Sequence, residues 1–208
     1  MKLIGQYDSP FVRRVAVAMQ IYGIGYEHRP WSTFADADKV AAPNPLRRVP
    51  VLVLDDGDAI IESGAILDYL DELAGPEKSL IAATGPSRRQ SLRTISLATG
   101  IADKAVTLVY SRLFHGSQSP DFVARCHTQV NDALAEIENA AAQRGTDWWF
   151  GATPGHADIA TASMLRFVNE AHPGMIDFGR YPALASHSAR AEALPVFSAV
   201  MQVFDPPR

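Results

Sequence analysis

The sequence predicts an α/β domain built on a mixed four-stranded sheet, followed by an all-α domain. Three observations carry that expectation. Over residues 1–75, strand-like and helix-like stretches follow one another in the order β-α-β-α-β-β-α. Two of the strands flank Asp56-Gly57, a strong short-range hairpin signal. Beyond Thr84-Gly85-Pro86-Ser87 the apolar residues recur at helical spacing, and no stretch has the pattern of a strand. The expected organisation is a sheet domain over 1–75, a linker over 76–86 and a helical domain over 87–208.

Lys2 to Tyr7 forms the first expected strand. Asp8-Ser9-Pro10 breaks it and supplies a helix cap followed by a proline suited to a first helical turn. From Phe11 to Tyr22, the residues Val12, Val15, Ala16 and Met19 share one helical face, with Arg13, Arg14 and Gln20 on the others. Gly23 and Gly25 end this helix, and Tyr26 to Pro30 forms a second strand. A strand-helix-strand unit of this kind is expected to cross over right-handedly into a parallel pair. Trp31 to Ala42 is weakly patterned, with one short helical stretch from Phe34 to Val40, closed by Pro43 and Pro45. Pro50 stands at the first residue of the third strand, where a missing N–H harms the ladder least. The hairpin makes the third and fourth strands antiparallel. Ser63 stands where the periodicity changes from strand to helix, as an N-cap should, and the helix that follows carries Ile66, Leu67 and Leu70 on one side.

In the second part, helices are expected from Ser87 to about His115 and from Asp121 to Gln143. Three more follow, from His156 to Glu170, Pro182 to Glu192 and Pro195 to Val203. Trp148-Trp149-Phe150-Gly151 is an aromatic anchor in a loop, better suited to packing than to ligand stacking.

Composition narrows the function classes. A formal net charge of −4 argues against non-specific nucleic-acid binding. Cys126 is alone, so there is no intramolecular disulfide and no cysteine pair for zinc or redox chemistry; mid-helix, it reads as a small buried apolar residue. His115 and His156 lack a partner pattern for metal binding or nucleophilic catalysis, and no metal site is expected. The longest apolar runs are far short of a membrane span, and the first residues run directly into strand-like sequence, so a soluble cytoplasmic protein is expected. What remains is a small-ligand site around residues 44–66: an exposed backbone edge at Val49 and a helix start at Ser63, whose free N–H groups suit a carboxylate.

Val49-Pro50 opening strand three and Glu62-Ser63 opening helix three, within this order of elements, resemble the cytosolic glutathione transferase superfamily over essentially the whole chain. Tyr7-Asp8-Ser9-Pro10-Phe11-Val12-Arg13-Arg14-Val15 is similar to the active-site turn of its serine-type bacterial members. Asn44-Pro45 through Val49-Pro50-Val51-Leu52 resembles the proline-containing loop, and Ile61-Glu62-Ser63-Gly64-Ala65-Ile66 the glutamyl-binding turn. Gly151-Ala152-Thr153-Pro154-Gly155-His156-Ala157-Asp158 resembles the motif in which a cap and a buried aspartate lock a core helix. One departure is Gly155, where the family usually carries Ser or Thr; the missing side-chain bond costs a few tenths of a kcal/mol.

The resemblance implies a thioredoxin-like first domain, glutathione as cosubstrate and a homodimer. It implies conjugation of the glutathione thiolate to small apolar electrophiles, a detoxification chemistry. Alternatives are a non-catalytic interaction module on the same fold, or another glutathione-dependent reaction such as isomerisation, dehalogenation or lyase cleavage. It gives Ser9 the role of hydrogen-bond donor to the thiolate, with Tyr7 as its rival and a plain helix cap as the bland alternative. Val49 would hold the cysteinyl backbone like an added strand, with Pro50 in cis. Ser63 would bind the γ-glutamyl carboxylate, Glu62 the ammonium and Arg48 the glycyl carboxylate. Phe11, with Lys104, Leu108, Ser111 and Phe114 on one face of the long helix, would line an electrophile pocket between the domains.

Overall fold

The computed structural model describes residues 1–114 and 119–206, so His115 lies outside the described residues. The chain divides into two units. One is Met1–Ala83 together with the segment from Leu194 onward; the other is Thr84–Ala193. The helical domain was expected to run to the end of the chain, whereas the last segment groups with the sheet.

The first unit contains β1 (Lys2–Ile4), α1 (Pro10–Tyr22), β2 (Glu27–Arg29), α2 (Ala37–Ala41), β3 (Val51–Val53), β4 (Ala59–Ile61) and α3 (Ser63–Ala74). Its sheet has the order β2-β1-β3-β4, with β1 and β2 parallel and the other two pairs antiparallel. Alternation along the strands gives the sheet two faces. Ile4 and Val51 join Val40 of α2 on one side, with Trp31 and Val49 packed against them. The alternate residues Leu3 and Leu52 are fully buried, and α1 packs against α3. Helix α1 begins where Ser9 caps it and Pro10 takes the first turn, and it stops at Gly23, whose φ of 67° is the left-handed conformation that glycine tolerates.

Arg13 and Arg14, expected away from the apolar face, are both buried. No local pattern could have shown the reason for Arg13: it donates from Nε to the carbonyl of Val200 at 3.3 Å and from Nη2 to that of Phe197 at 3.2 Å. These acceptors lie on and just after α8 (numbered after the helices of the second unit), which is Pro195–Ser198 rather than a helix to Val203.

The regular elements among the described residues of the second unit are all helices: α4 (Gly85–Phe114), α5 (Pro120–Gln143), α6 (His156–Ala171) and α7 (Pro182–Glu192). Helix α6 is the centre of this unit, with most of its side chains buried. Its start is locked by Asp158, 1% exposed, whose two carboxylate oxygens accept the N–H groups of Gly155 at 2.9 Å and Trp149 at 3.0 Å. Gly155 has no side chain to return the bond, so only the carboxylate half of a capping box is made. Trp148 and Trp149 are buried, and both rings meet His187 edge-on. Packing is therefore what that aromatic pair does. Cys126 is buried as expected.

Candidate functional site

Strand register brings three segments to one end of the sheet. Ile4 pairs with Val51, and Val51 with Ile61. The turn after Ile4, the approach to Val51 and the exit from Ile61 therefore lie side by side. These are Gly5–Ser9, Arg48-Val49-Pro50 and Glu62-Ser63. With neighbouring strands 4.7–4.9 Å apart, the row spans about 10 Å.

At the first segment, Ser9 is the N-cap of α1. Its carbonyl accepts the N–H of Arg13 at 2.9 Å, and its Oγ accepts that of Val12 at 3.4 Å. That second bond is long, and it uses the oxygen as acceptor, so the hydroxyl proton remains available for donation. The first turn of α1 itself carries no acidic residue, although Asp8 stands immediately before the cap, where burial raises its carboxyl pKa.

Tyr7 does not lie in the strand under α1. It follows β1, stacks on His28 with ring centroids 3.8 Å apart, and shares a 2.8 Å hydroxyl-to-hydroxyl hydrogen bond with Tyr26. Burial, then that hydrogen bond, push its phenol pKa up, so it stays protonated throughout the physiological range.

The second segment is held from behind by Asn44. This side chain is 1% exposed; its amide donates to the carbonyl of Arg48 at 2.8 Å, and its Oδ1 accepts the N–H of Leu46 at 3.0 Å. The Val49–Pro50 peptide bond is cis. Gly5 lets this segment approach: its φ is 125°, and a Cβ there would stand 2.5 Å from Cγ2 of Val12 and 2.8 Å from Cβ of Val49. Neither Asn44 nor Gly5 was singled out from sequence. Gly5 is a faint signal because Val49 is remote in the chain. The bonds of Asn44 are local, to Leu46 and Arg48, but an Asn-Pro pair marks a turn without saying which backbone groups the side chain will take.

The third segment differs from expectation by one residue. Ser63 is the first residue of α3, not its cap; the cap position belongs to Glu62, whose carbonyl accepts the N–H of Ile66. Glu62 has φ 69° and ψ 125°, a conformation that non-glycine residues avoid at a cost of about 1–3 kcal/mol. Ser63 is buried and α3 has no acidic residue in its first turn. Across the row, Nη1 of Arg48 lies 3.6 Å from Oε1 of Glu62, both side chains half-exposed. Arg47 is exposed and pairs with Asp38 at 2.9 Å.

Phe11 sits half-buried near the start of α1. Lys104, Leu108, Ser111 and Phe114 share one face of α4: Leu108 and Ser111 are buried, Lys104 is intermediate and Phe114 is 54% exposed. A separate open groove of about 650 Å³ runs along the α2 face of the first unit's sheet, lined by Lys2, Ile4, Arg29, Trp31, Val53 and Ala59 among others, and it includes none of the row's residues. Among the described residues no group of three or more His, Cys, Asp or Glu side chains could hold a metal, and no helix is long and apolar enough to cross a membrane.

Comparison with known proteins agrees with this architecture. The profile of the glutathione S-transferase N-terminal domain matches residues 3–78, and that of the glutathione S-transferase C-terminal domain matches residues 120–190. A glutathione S-transferase from Methylobacterium radiotolerans, solved in complex with glutathione sulfonate, superimposes with a TM-score of 0.87 at 30% identity, covering 98% of this chain and 97% of that one. Glutathione S-transferase U6 of Arabidopsis thaliana is 29% identical over 82% of this chain and 72% of its own length. Maleylacetoacetate isomerase of Pseudomonas aeruginosa is 29% identical over 79% of this chain and 80% of its own length. With both domains matched in order, on a thioredoxin-like sheet unit and a helical unit, the chain belongs to the glutathione S-transferase family.

Proposed function

We propose that this protein binds glutathione along the row at the sheet end and transfers its thiolate to a small apolar electrophile. The observation that carries the reading is the register Ile4–Val51–Ile61, which lines up Ser9, Val49 and Glu62-Ser63 across about the length of an extended tripeptide. The relatives solved with glutathione sulfonate and with glutathione support the choice of ligand.

In this reading the γ-glutamyl carboxylate sits at the N-terminus of α3, taking the Ser63 hydroxyl and backbone N–H. Glu62 turns from Arg48 toward the ammonium, and Arg48 toward the glycyl carboxylate. The left-handed backbone of Glu62 is the kind of conformation retained where a side chain must be aimed. Val49 offers its backbone edge to the cysteinyl unit. Ser9 donates a hydrogen bond to the thiolate sulfur and keeps its proton, remaining a neutral hydroxyl throughout. Lowering a thiol pKa from about 8.5 by about two units needs about 2.7 kcal/mol in favour of the thiolate. One hydrogen bond to a charged acceptor and a helix terminus together supply that amount. Tyr7, engaged with Tyr26 and His28, is the poorer donor. The electrophile is received by Phe11 and the α4 face of Lys104, Leu108, Ser111 and Phe114, in a cytoplasmic homodimer.

The similarity to maleylacetoacetate isomerase supports a second reading: the same thiolate adds to an activated double bond and leaves again after rotation, so that glutathione is regenerated. The binding row and Ser9 serve both. Calorimetric titration with glutathione tests the shared part. Ser63→Ala should weaken binding about 10- to 100-fold, the loss of a hydrogen bond to a charged group. Equal affinity in the variant would remove Ser63 from the site. Product analysis then separates net conjugation, which consumes glutathione, from isomerisation, which does not.

A further inference from the structure

The turn that carries Ser9 is fastened by a segment nearly two hundred residues away. Helix α1 and the sheet satisfy little of its backbone: the Ser9 N–H reaches the Gln6 carbonyl at 3.2 Å, and the Gly5 N–H extends the ladder to the carbonyl of Arg29. The N–H of Tyr7 is instead taken by the side-chain Oε1 of Gln202 at 3.1 Å. On the other side of the same turn, Oδ2 of Asp8 accepts the N–H of Asp205 at 3.1 Å. The root of this segment is pinned by the buried Arg13, which donates to the carbonyls of Phe197 and Val200. Phe197 and Val200 are themselves buried, and the Arg13 guanidinium lies 5.6 Å from the centroid of the Phe197 ring. The segment is therefore anchored in the core of the first unit at 197–200 and grips the two residues preceding Ser9 at 202 and 205.

We infer that residues 199–205 act as a strap that sets the position of the Ser9 hydroxyl, and that Gln202 is a positioning residue for the thiolate. This rests on Ser9 being the thiol partner. The Ser9 Oγ has only a long bond to hold it to the helix, so its placement depends on the turn beneath it. Val49, Glu62 and Ser63, which would bind the rest of glutathione, hang from β3, β4 and α3, and none of the strap's hydrogen bonds named above reaches them. Loosening the strap should thus disturb the sulfur and largely spare the affinity, a separation that a general loss of stability would not produce.

Gln202→Met keeps the length of the side chain and removes the acceptor; Gln202→Glu keeps the acceptor. The expected result for Gln202→Met is a thiolate-to-thiol ratio of bound glutathione at neutral pH lower by about three- to tenfold, the value of one hydrogen bond. The glutathione dissociation constant should rise by no more than about threefold, the part that linkage to the thiol equilibrium requires. Gln202→Glu restores the acceptor for the Tyr7 N–H but adds a charge that disfavours a nearby thiolate, so it should recover the Tyr7 bond and only part of the thiolate. Amide hydrogen exchange gives a readout independent of glutathione: the Tyr7 N–H should be protected in wild type and in Gln202→Glu, and should exchange faster in Gln202→Met. An unchanged thiolate fraction in Gln202→Met, with faster Tyr7 exchange, would overturn the positioning role while leaving Ser9 in place. An unprotected Tyr7 amide in wild type would overturn the strap itself. If wild-type bound glutathione shows an ordinary thiol, the Ser9 reading fails and the strap's role in catalysis fails with it, a result distinct from a loss seen only in the variant.

Discussion

Glu62 and Gly5 show how much of the proposed site depends on single backbone conformations. Glu62 has φ 69°, so replacing it with glycine removes the strain and the carboxylate together. Glu62→Gly should hold or raise stability in a denaturant titration while weakening glutathione binding, and a variant that binds normally would mean that Glu62 does not meet the ammonium. Gly5 works in the opposite sense. A Cβ there would stand 2.5 Å from Val12 and 2.8 Å from Val49. Gly5→Ala should cost about 2–4 kcal/mol through overpacking and an unfavourable φ. Residues of this kind were the least legible in the sequence. Ser9, Val49, Glu62 and Ser63 stand at punctuation marks between a strand and a helix, where chain direction changes and local signals are strong. Gly5 and Gln202 act on partners distant in sequence, and one sequence contains no trace of those contacts. Asn44 acts locally, on Leu46 and Arg48, but an Asn before a proline signals only a turn.

At the scale of elements, the legible features were those that terminate locally. Pro10 and Gly23 bound α1, Asp56-Gly57 makes the hairpin, and Pro182 starts α7. The weakly patterned stretch after Trp31 yields only the five-residue α2, and the expected last helix shortens to Pro195–Ser198 because the chain there leaves helical geometry to run as the strap. Asn44 tests whether the loop before β3 is a working element. Asn44→Ala removes the side-chain bonds to the Arg48 carbonyl and the Leu46 N–H. The expected cost is about 1–3 kcal/mol in unfolding, together with weaker glutathione binding, because Val49 and Arg48 lose their support. Loss of stability with unchanged affinity would show that the loop's position does not matter to the ligand.

At the scale of whole-chain stability, the titrating pair in the second unit makes a signed prediction. Burial pushes the Asp158 carboxyl up to about 6 and the His187 imidazole down to about 4. The Arg144 guanidinium can only donate, and its Nη1 lies 3.1 Å from Nδ1 of His187. His187 is therefore neutral with its proton on Nε2, which donates to the Asp158 carbonyl at 3.1 Å. The 3.8 Å approach of Nδ1 to the Asp158 carboxylate is then not an ion pair. Asp158 has a raised folded pKa, so its contribution is full below the ordinary carboxylate value and is lost as pH rises through about 6. His187 has a lowered one, so its contribution is present above the ordinary imidazole value and is lost as pH falls toward about 4. Between about 4 and 6 the two slopes oppose each other, and the wild-type curve should be nearly flat from this pair. Asp158→Asn removes one of them. Its stability should rise with pH by up to about 1.4 kcal/mol per unit over that window, measured by urea unfolding across pH; a flat curve in the variant would contradict the assignment of His187.

The proposed chemistry of the first unit depends on Ser9 and the start of α1 holding glutathione as a thiolate. The most direct measurement is an ultraviolet absorbance titration of the thiolate of glutathione bound to wild type and to Ser9→Ala. In wild type the bound thiol pKa should lie about two units below the free value of about 8.5, and in Ser9→Ala it should return most of the way. A bound thiol titrating at its free value in wild type, or the same lowered value in both proteins, would contradict the proposed chemistry.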